Sequence, residues 1–167
     1  IWDKFLEAWI WYWGSCFPKD IKAFIETGKD YGFDFKIISQ TEEVNTKQKT
    51  IVVDKLLKFI PDLKDKTISI WWLAFKPNTD DIRDSVAIAI VKILRGLGAN
   101  IKAYDPEAMY NAKNSLGETS IKYCLDKYEV MEGSEALLIL TEWKEFANIE
   151  LDKVASLLKN KVIFDGR

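Results

Sequence analysis

The sequence predicts an α/β fold, in which a helical segment leads into a parallel sheet covered by helices on both faces. Two observations carry this. Strand-like apolar runs alternate with helical patterns over most of the 167-residue chain, and such alternation builds parallel strands joined by crossover helices. One run, Ala136-Leu137-Leu138-Ile139-Leu140, is apolar without a break, as a strand buried on both faces requires.

The elements follow in order. Ile21, Phe24, Ile25 and Tyr31 recur at helical spacing after Pro18, and Gly32 is a stop signal. A second helix is predicted from Glu42 to Ile60 on Val44, Ile51, Val52, Leu56, Phe59 and Ile60. Its stretch Asn45 to Thr50 is polar all round, the mark of a helix that is solvated or crosses between domains. Pro61 and the charged run Asp62 to Lys66 read as a boundary. Beyond it, Thr67 to Ala74 predicts a strand, and Val86 to Leu97 a helix apolar nearly all round that ends at Gly96-Leu97-Gly98. Ile101 to Tyr104, Glu135 to Leu140 and Lys161 to Phe164 predict further strands. Tyr128 to Met131 and Leu151 to Leu158 predict helices. This is a Rossmann-like arrangement.

Composition narrows the function. With 24 basic and 26 acidic residues, the charge is nearly balanced and no basic stripe argues for nucleic acid. No stretch approaches the roughly 20 apolar residues of a membrane helix. The opening Ile1-Trp2-Asp3-Lys4 lacks the pattern of a secretory signal and an initiator Met, so a start inside a longer protein is expected. Two cysteines far apart, Cys16 and Cys124, suggest neither a disulfide framework nor a metal site, and a reduced cytoplasmic setting follows. The chain has no histidine. Proton transfer near neutrality therefore falls to carboxylates, lysine, thiol or water.

The chemistry concentrates in Gly14-Ser15-Cys16-Phe17-Pro18-Lys19-Asp20. A helix N-terminus and the neighbouring Lys19 ammonium both favour a thiolate at Cys16. Asp20 follows about one helical turn later, so in a regular turn the two side chains share a face. Cys16 is then either a small apolar residue or a nucleophile. Cys124, in the strand-like Ile121-Lys122-Tyr123-Cys124, has no such neighbours. A second motif, Phe75 to Ser85, follows the first strand of the sheet, where ligands of parallel sheets bind. Its cations Lys76 and Arg83, in a loop entering a helix, suit a phosphate or pyrophosphate, the alternative being a solvated polar loop. No GxGxxG fingerprint occurs, so the main dinucleotide site is not expected here.

These segments resemble, in order and in register, the UDP-glucose/GDP-mannose dehydrogenase family. The cysteine motif is similar to GGSCFPKD, with Trp13 in place of the first glycine. Leu73 to Arg83 (LAFKPNTDDIR), Tyr104-Asp105-Pro106, Leu140-Thr141-Glu142-Trp143 and Phe164-Asp165-Gly166-Arg167 resemble further family segments. The resemblance implies a cysteine loop with a central helical dimerisation segment over residues 1–61, and a Rossmann-like UDP-sugar-binding domain over residues 62–167. It implies NAD-dependent oxidation of UDP-glucose to UDP-glucuronate in two hydride transfers, through a thiohemiacetal and a thioester on Cys16. Asp20 is implied as the carboxylate that positions or activates water. Tyr12, Trp13, Gly14, Phe75, Lys76 and Arg167 are implied to bind the substrate, and Lys19 and Arg83 to reach the cofactor. The expected partners are UDP-glucose and a second copy bound through the central helix, without metal, nucleic acid or membrane. A sibling acting on UDP-N-acetylmannosamine, UDP-N-acetylglucosamine or GDP-mannose is an alternative, as is a non-catalytic dimerisation and UDP-sugar-binding module.

Tryptophans stand where the family has glycine. Trp9, Trp11, Trp13 and Trp72 occupy such positions, and Trp2 is a further candidate. One reading is an aromatic cluster that packs or stacks on a base. The reading favoured here is decoding: one base separates the glycine codon GGA from UGA, so a gene that reads UGA as glycine, translated with UGA as tryptophan, gives this pattern. Deliberate tryptophan scanning gives it too. Codons GGN or UGG at positions 9, 11, 13 and 72 exclude the decoding account.

Overall fold

A computed structural model describes residues 10, 12, 16–141 and 148–166. Trp2, Trp9, Trp11, Trp13, Gly14, Glu142, Trp143 and Arg167 lie outside the described residues. Helix α1 runs Phe17–Asp30 and α2 Lys36–Phe59. The sheet region follows as β1 (Thr67–Trp71), α3 (Val86–Gly96), β2 (Asn100–Tyr104), α4 (Met109–Leu116), β3 (Ile121–Tyr123), a 3₁₀ turn (Glu129–Met131), β4 (Ala136–Ile139), α5 (Leu151–Leu157) and β5 (Ile163–Asp165).

The five strands form one parallel sheet in the order β3-β2-β1-β4-β5. Ile68 aligns with Ile101 on one side and Ala136 on the other. Both faces of β1 are covered. Ser69 Oγ donates to Val130 O at 2.7 Å and Trp71 Nε1 to Lys127 O at 2.9 Å, tying one face to the β3–β4 connection. Ile68 and Ile70 project to the other face by strand alternation and are equally buried.

The expected α/β architecture is therefore present, with differences in several elements. The first strand ends at Trp71, not Ala74, because Trp72 takes φ +94° and turns the chain. Helix α2 begins at Lys36, about a turn and a half before Glu42, over a stretch that buries no residue fully, Ile37 being exposed and Ile38 half-buried, and so leaves little burial pattern to read. Helix α4 was not expected: it buries only Ala112 and Leu116, while Tyr110 faces solvent.

Helix α2 joins the core at its far end. Val52, Val53 and Leu56 are buried and pack with α3, whose Val86, Ala87, Ile90, Val91 and Leu94 are buried in turn. Its polar middle is solvated at Thr46, Lys47 and Thr50, as expected, but Asn45 is only 4% exposed. None of the described helices is long and apolar enough to cross a membrane.

Candidate functional site

The sheet order places a crevice. From β1 the chain winds first towards β2 and β3, then reverses to β4 and β5, and the space outside the carboxyl ends at such a reversal is the usual ligand site. The β1–α3 loop stands at that edge. Phe75 N–H donates to Asp81 O at 3.0 Å, closing the loop on itself. Ser85 Oγ donates to Leu73 O at 2.7 Å and fixes its exit into α3.

A buried carboxylate holds the loop from below. Asp105, at the end of β2, accepts from Leu73 N–H and Ala74 N–H through Oδ2, both at 2.9 Å. Its Oδ1 accepts from Glu107 N–H at 2.8 Å and Ala108 N–H at 2.7 Å. Two loops are thereby fastened to one side chain.

The loop's charges form a local set. Arg83 pairs with Asp81, Nη2 to Oδ2 at 2.7 Å and Nε to Oδ1 at 3.0 Å. That hydrogen bonding holds the Asp81 carboxyl below its usual range, with Lys76 adding to the same effect. It also raises the Arg83 guanidinium, and the field of Cys16 acts on Arg83 in the same direction. Cys16 and Arg83, far apart in sequence, thus lie within electrostatic reach of each other. Lys76 Nζ lies 5.2 Å from the Phe75 ring centre, a cation–π distance.

Cys16 caps α1 and is exposed. Its carbonyl accepts from Asp20 N–H at 2.9 Å, so the first turn is regular and the two residues share a helix face. Lys19 Nζ lies 3.3 Å from Asp20 Oδ1. Pro18 sits in the first turn, where its missing N–H costs nothing.

Tyr12 is bonded to α2. Its hydroxyl donates to Glu42, which also lies 3.8 Å from Lys22 Nζ. Burial first, then this carboxylate, push its phenol well above the ordinary value. Ile10 is buried against Gly166, where a Cβ would overlap its side chain and stand 3.0 Å from Ile139 O. Ile10 therefore lies against the carboxyl edge of β4 and β5.

Of the residues singled out from sequence, Cys16, Asp20, Lys19, Phe75, Lys76 and Arg83 are described on this side of the molecule. Trp13, Gly14 and Arg167 are not among the described residues. Trp72 is fully buried at a positive φ. That backbone region costs an L-residue about 1–2 kcal/mol and costs glycine nothing. Asp105, Asn45 and Glu42 were missed as site-shaping residues. The Tyr104-Asp105-Pro106 segment carries a resemblance in sequence but no sign of this role.

Cys124 is buried, and desolvation raises its thiol above the ordinary value. A raised thiol is neutral, and so unreactive, until the pH climbs past that value. We expect iodoacetamide at pH 7.5 to modify Cys16 and spare Cys124, read by peptide mass spectrometry. Equal modification of both would contradict the packing around β3.

The comparisons decide the family. A family model described as "UDP-glucose/GDP-mannose dehydrogenase family, UDP binding domain" matches residues 69–167, and the same family's central domain matches residues 1–47. The chain belongs to the UDP-glucose/GDP-mannose dehydrogenase family. It is 49% identical to the UDP-glucose 6-dehydrogenase TuaD of Bacillus subtilis over 98% of its own length, and 38% identical to the UDP-glucose 6-dehydrogenase of Rhizobium meliloti over 99%. It covers 35% of the first and 38% of the second, so it spans little more than a third of these relatives. Among solved structures, a UDP-glucose dehydrogenase from Pyrobaculum islandicum superposes with TM-score 0.86 at 32% identity, over 96% of this chain and 35% of that one. A UDP-D-ManNAc dehydrogenase from Pyrococcus horikoshii superposes with TM-score 0.77 at 25% identity, over 95% of this chain and 35% of that one.

Proposed function

We propose that this chain supplies the cysteine nucleophile and the UDP-sugar site of an NAD-dependent UDP-glucose 6-dehydrogenase. What supports the reading is the family match over both parts of the chain, together with a β1–α3 loop that carries Lys76 and Arg83 at the carboxyl end of β1, within electrostatic reach of Cys16.

Each residue then has a task. Lys76, exposed beside Phe75, pairs with the anionic part of the nucleotide sugar. Arg167 and the Tyr12–Gly14 segment complete the sugar site. Cys16, exposed at the head of α1, adds its sulfur to the aldehyde carbon left by the first oxidation, and the carbonyl oxygen takes up a proton. Covalent capture keeps the aldehyde from escaping before the second oxidation converts the thiohemiacetal to a thioester. Asp20, one turn from Cys16, orients the water that attacks the thioester, and the thiolate leaves with uronate released. NAD, when bound, accepts the hydrides. Lys19 and Arg83, both exposed and close to Cys16, offer cations suited to its pyrophosphate. The 83% exposed Ile37 and 57% exposed Val44 on α2 support a second copy as the partner of that helix.

Calorimetric titration of this chain with UDP, UDP-glucose and GDP-mannose tests the substrate class, with the two uridine ligands expected to bind and GDP-mannose not. With glycine restored at positions 9, 11, 13 and 72, Lys76→Ala should weaken UDP binding by about 1.5–3 kcal/mol, the range for hydrogen bonds to charged groups. An unchanged affinity removes Lys76 from the site, and tighter binding of GDP-mannose moves the chain to a sibling specificity.

A further inference from the structure

Asn45 is a buried polar side chain in the middle of an otherwise solvated stretch of helix. Burying an amide is unfavourable unless its donor and acceptor are both used. Here both are used, on one residue of another segment. Asn45 Oδ1 accepts from Tyr12 N–H at 2.9 Å, and Asn45 Nδ2 donates to Tyr12 O at 3.2 Å. The amide thus pairs with the backbone of Tyr12 as a neighbouring strand would. One turn earlier on α2, Glu42 takes the Tyr12 hydroxyl.

We infer that Asn45 is a positioning residue for the cysteine segment, setting where Cys16 stands relative to the β1–α3 loop. The Asn45 contact is made to main-chain atoms, so it fixes the path of the chain whatever side chain stands at position 12. Tyr12 is four residues before Cys16. Ile10, two residues further back, is seated against Gly166 and Ile139. The far side of Cys16 is fixed by α1. The α2 clamp thus holds the main chain at Tyr12, between the seat of Ile10 and the helix that begins after Cys16. Misplacement of a nucleophile by about 1 Å is enough to cost on the order of 10²-fold in rate.

The inference rests on Cys16 being the nucleophile for its catalytic readout, and has a second readout that does not. Asn45→Leu keeps the side chain's approximate shape and removes both bonds, whereas Asn45→Asp keeps the acceptor for Tyr12 N–H. In this chain, hydrogen exchange at the Tyr12 amide should accelerate at least tenfold in Asn45→Leu and less in Asn45→Asp. The alkylation rate of Cys16 by iodoacetamide should shift at least threefold, with Cys124 still protected as evidence of an intact fold. In the full-length protein carrying this segment, kcat for UDP-glucose oxidation should fall at least tenfold in Asn45→Leu, with UDP affinity unchanged and partial recovery in Asn45→Asp. Unchanged Tyr12 exchange, an unchanged Cys16 rate, or UDP affinity falling in step with kcat overturns the inference. If the full-length parent oxidises no UDP-sugar, the functional reading fails, while exchange and alkylation still decide the role of Asn45. If Asn45→Leu does not fold, Asn45→Asp carries the same comparisons.

Discussion

Replacing Cys16 with serine in a full-length protein that carries this segment is expected to lower steady-state NADH formation from UDP-glucose by about three orders of magnitude, or about 4 kcal/mol of barrier. A serine hydroxyl is much harder to ionise than a thiol, so capture of the aldehyde slows. An ester also hydrolyses less readily than a thioester, so any adduct that forms and is oxidised stalls. Cys16 is exposed at a helix N-cap, so exchanging sulfur for oxygen removes no core packing, and serine is itself a favoured N-cap. UDP binding and thermal stability should therefore match the parent. Turnover close to the parental rate would remove Cys16 from the chemistry.

The second large effect is on stability, at Asp105. Its two oxygens serve four backbone N–H groups, at Leu73, Ala74, Glu107 and Ala108. Alanine leaves these donors without their acceptor in a site where Asp105 itself is 1% exposed. Each buried donor left unsatisfied costs about 1–3 kcal/mol, partly recovered by local relaxation. We expect Asp105→Ala to lose about 4 kcal/mol, a fall of roughly 8–16 °C in the melting temperature for a chain of this size. Asparagine keeps one oxygen and turns an amide NH₂ towards the other two donors, so Asp105→Asn should lie between. Thermal unfolding of the three proteins checks this, and near-identical midpoints would show that Asp105 does not hold the two loops.

The buried strands were legible because burial on both faces leaves a continuous apolar run, as in Ala136 to Leu140. Helix α3 was legible for the same reason. Helix α4 was not, since two buried residues in eight make too weak a stripe. The loop between β1 and α3 declared its cations but not its shape, because its shape depends on Asp105, which belongs to a different strand end. Asn45 was read as part of a polar stretch, and nothing local marks it as buried. Its partner is Tyr12, and a side chain that bonds to main chain leaves no complementary residue type to notice. The motif residues themselves, Cys16 to Asp20 and Phe75 to Arg83, were legible by likeness to a family, whereas the electrostatic reach between Cys16 and Arg83 was visible only in the fold.

The contact of Ile10 with Gly166 joins residues near opposite ends of the described chain. A ribosome releases the first long before the second, and closing so long a loop must wait until β5 has paired with β4. The seat of Ile10 is therefore among the last contacts to be assembled during synthesis, and a nascent chain stopped before β5 has the side chain but not the glycine it rests on.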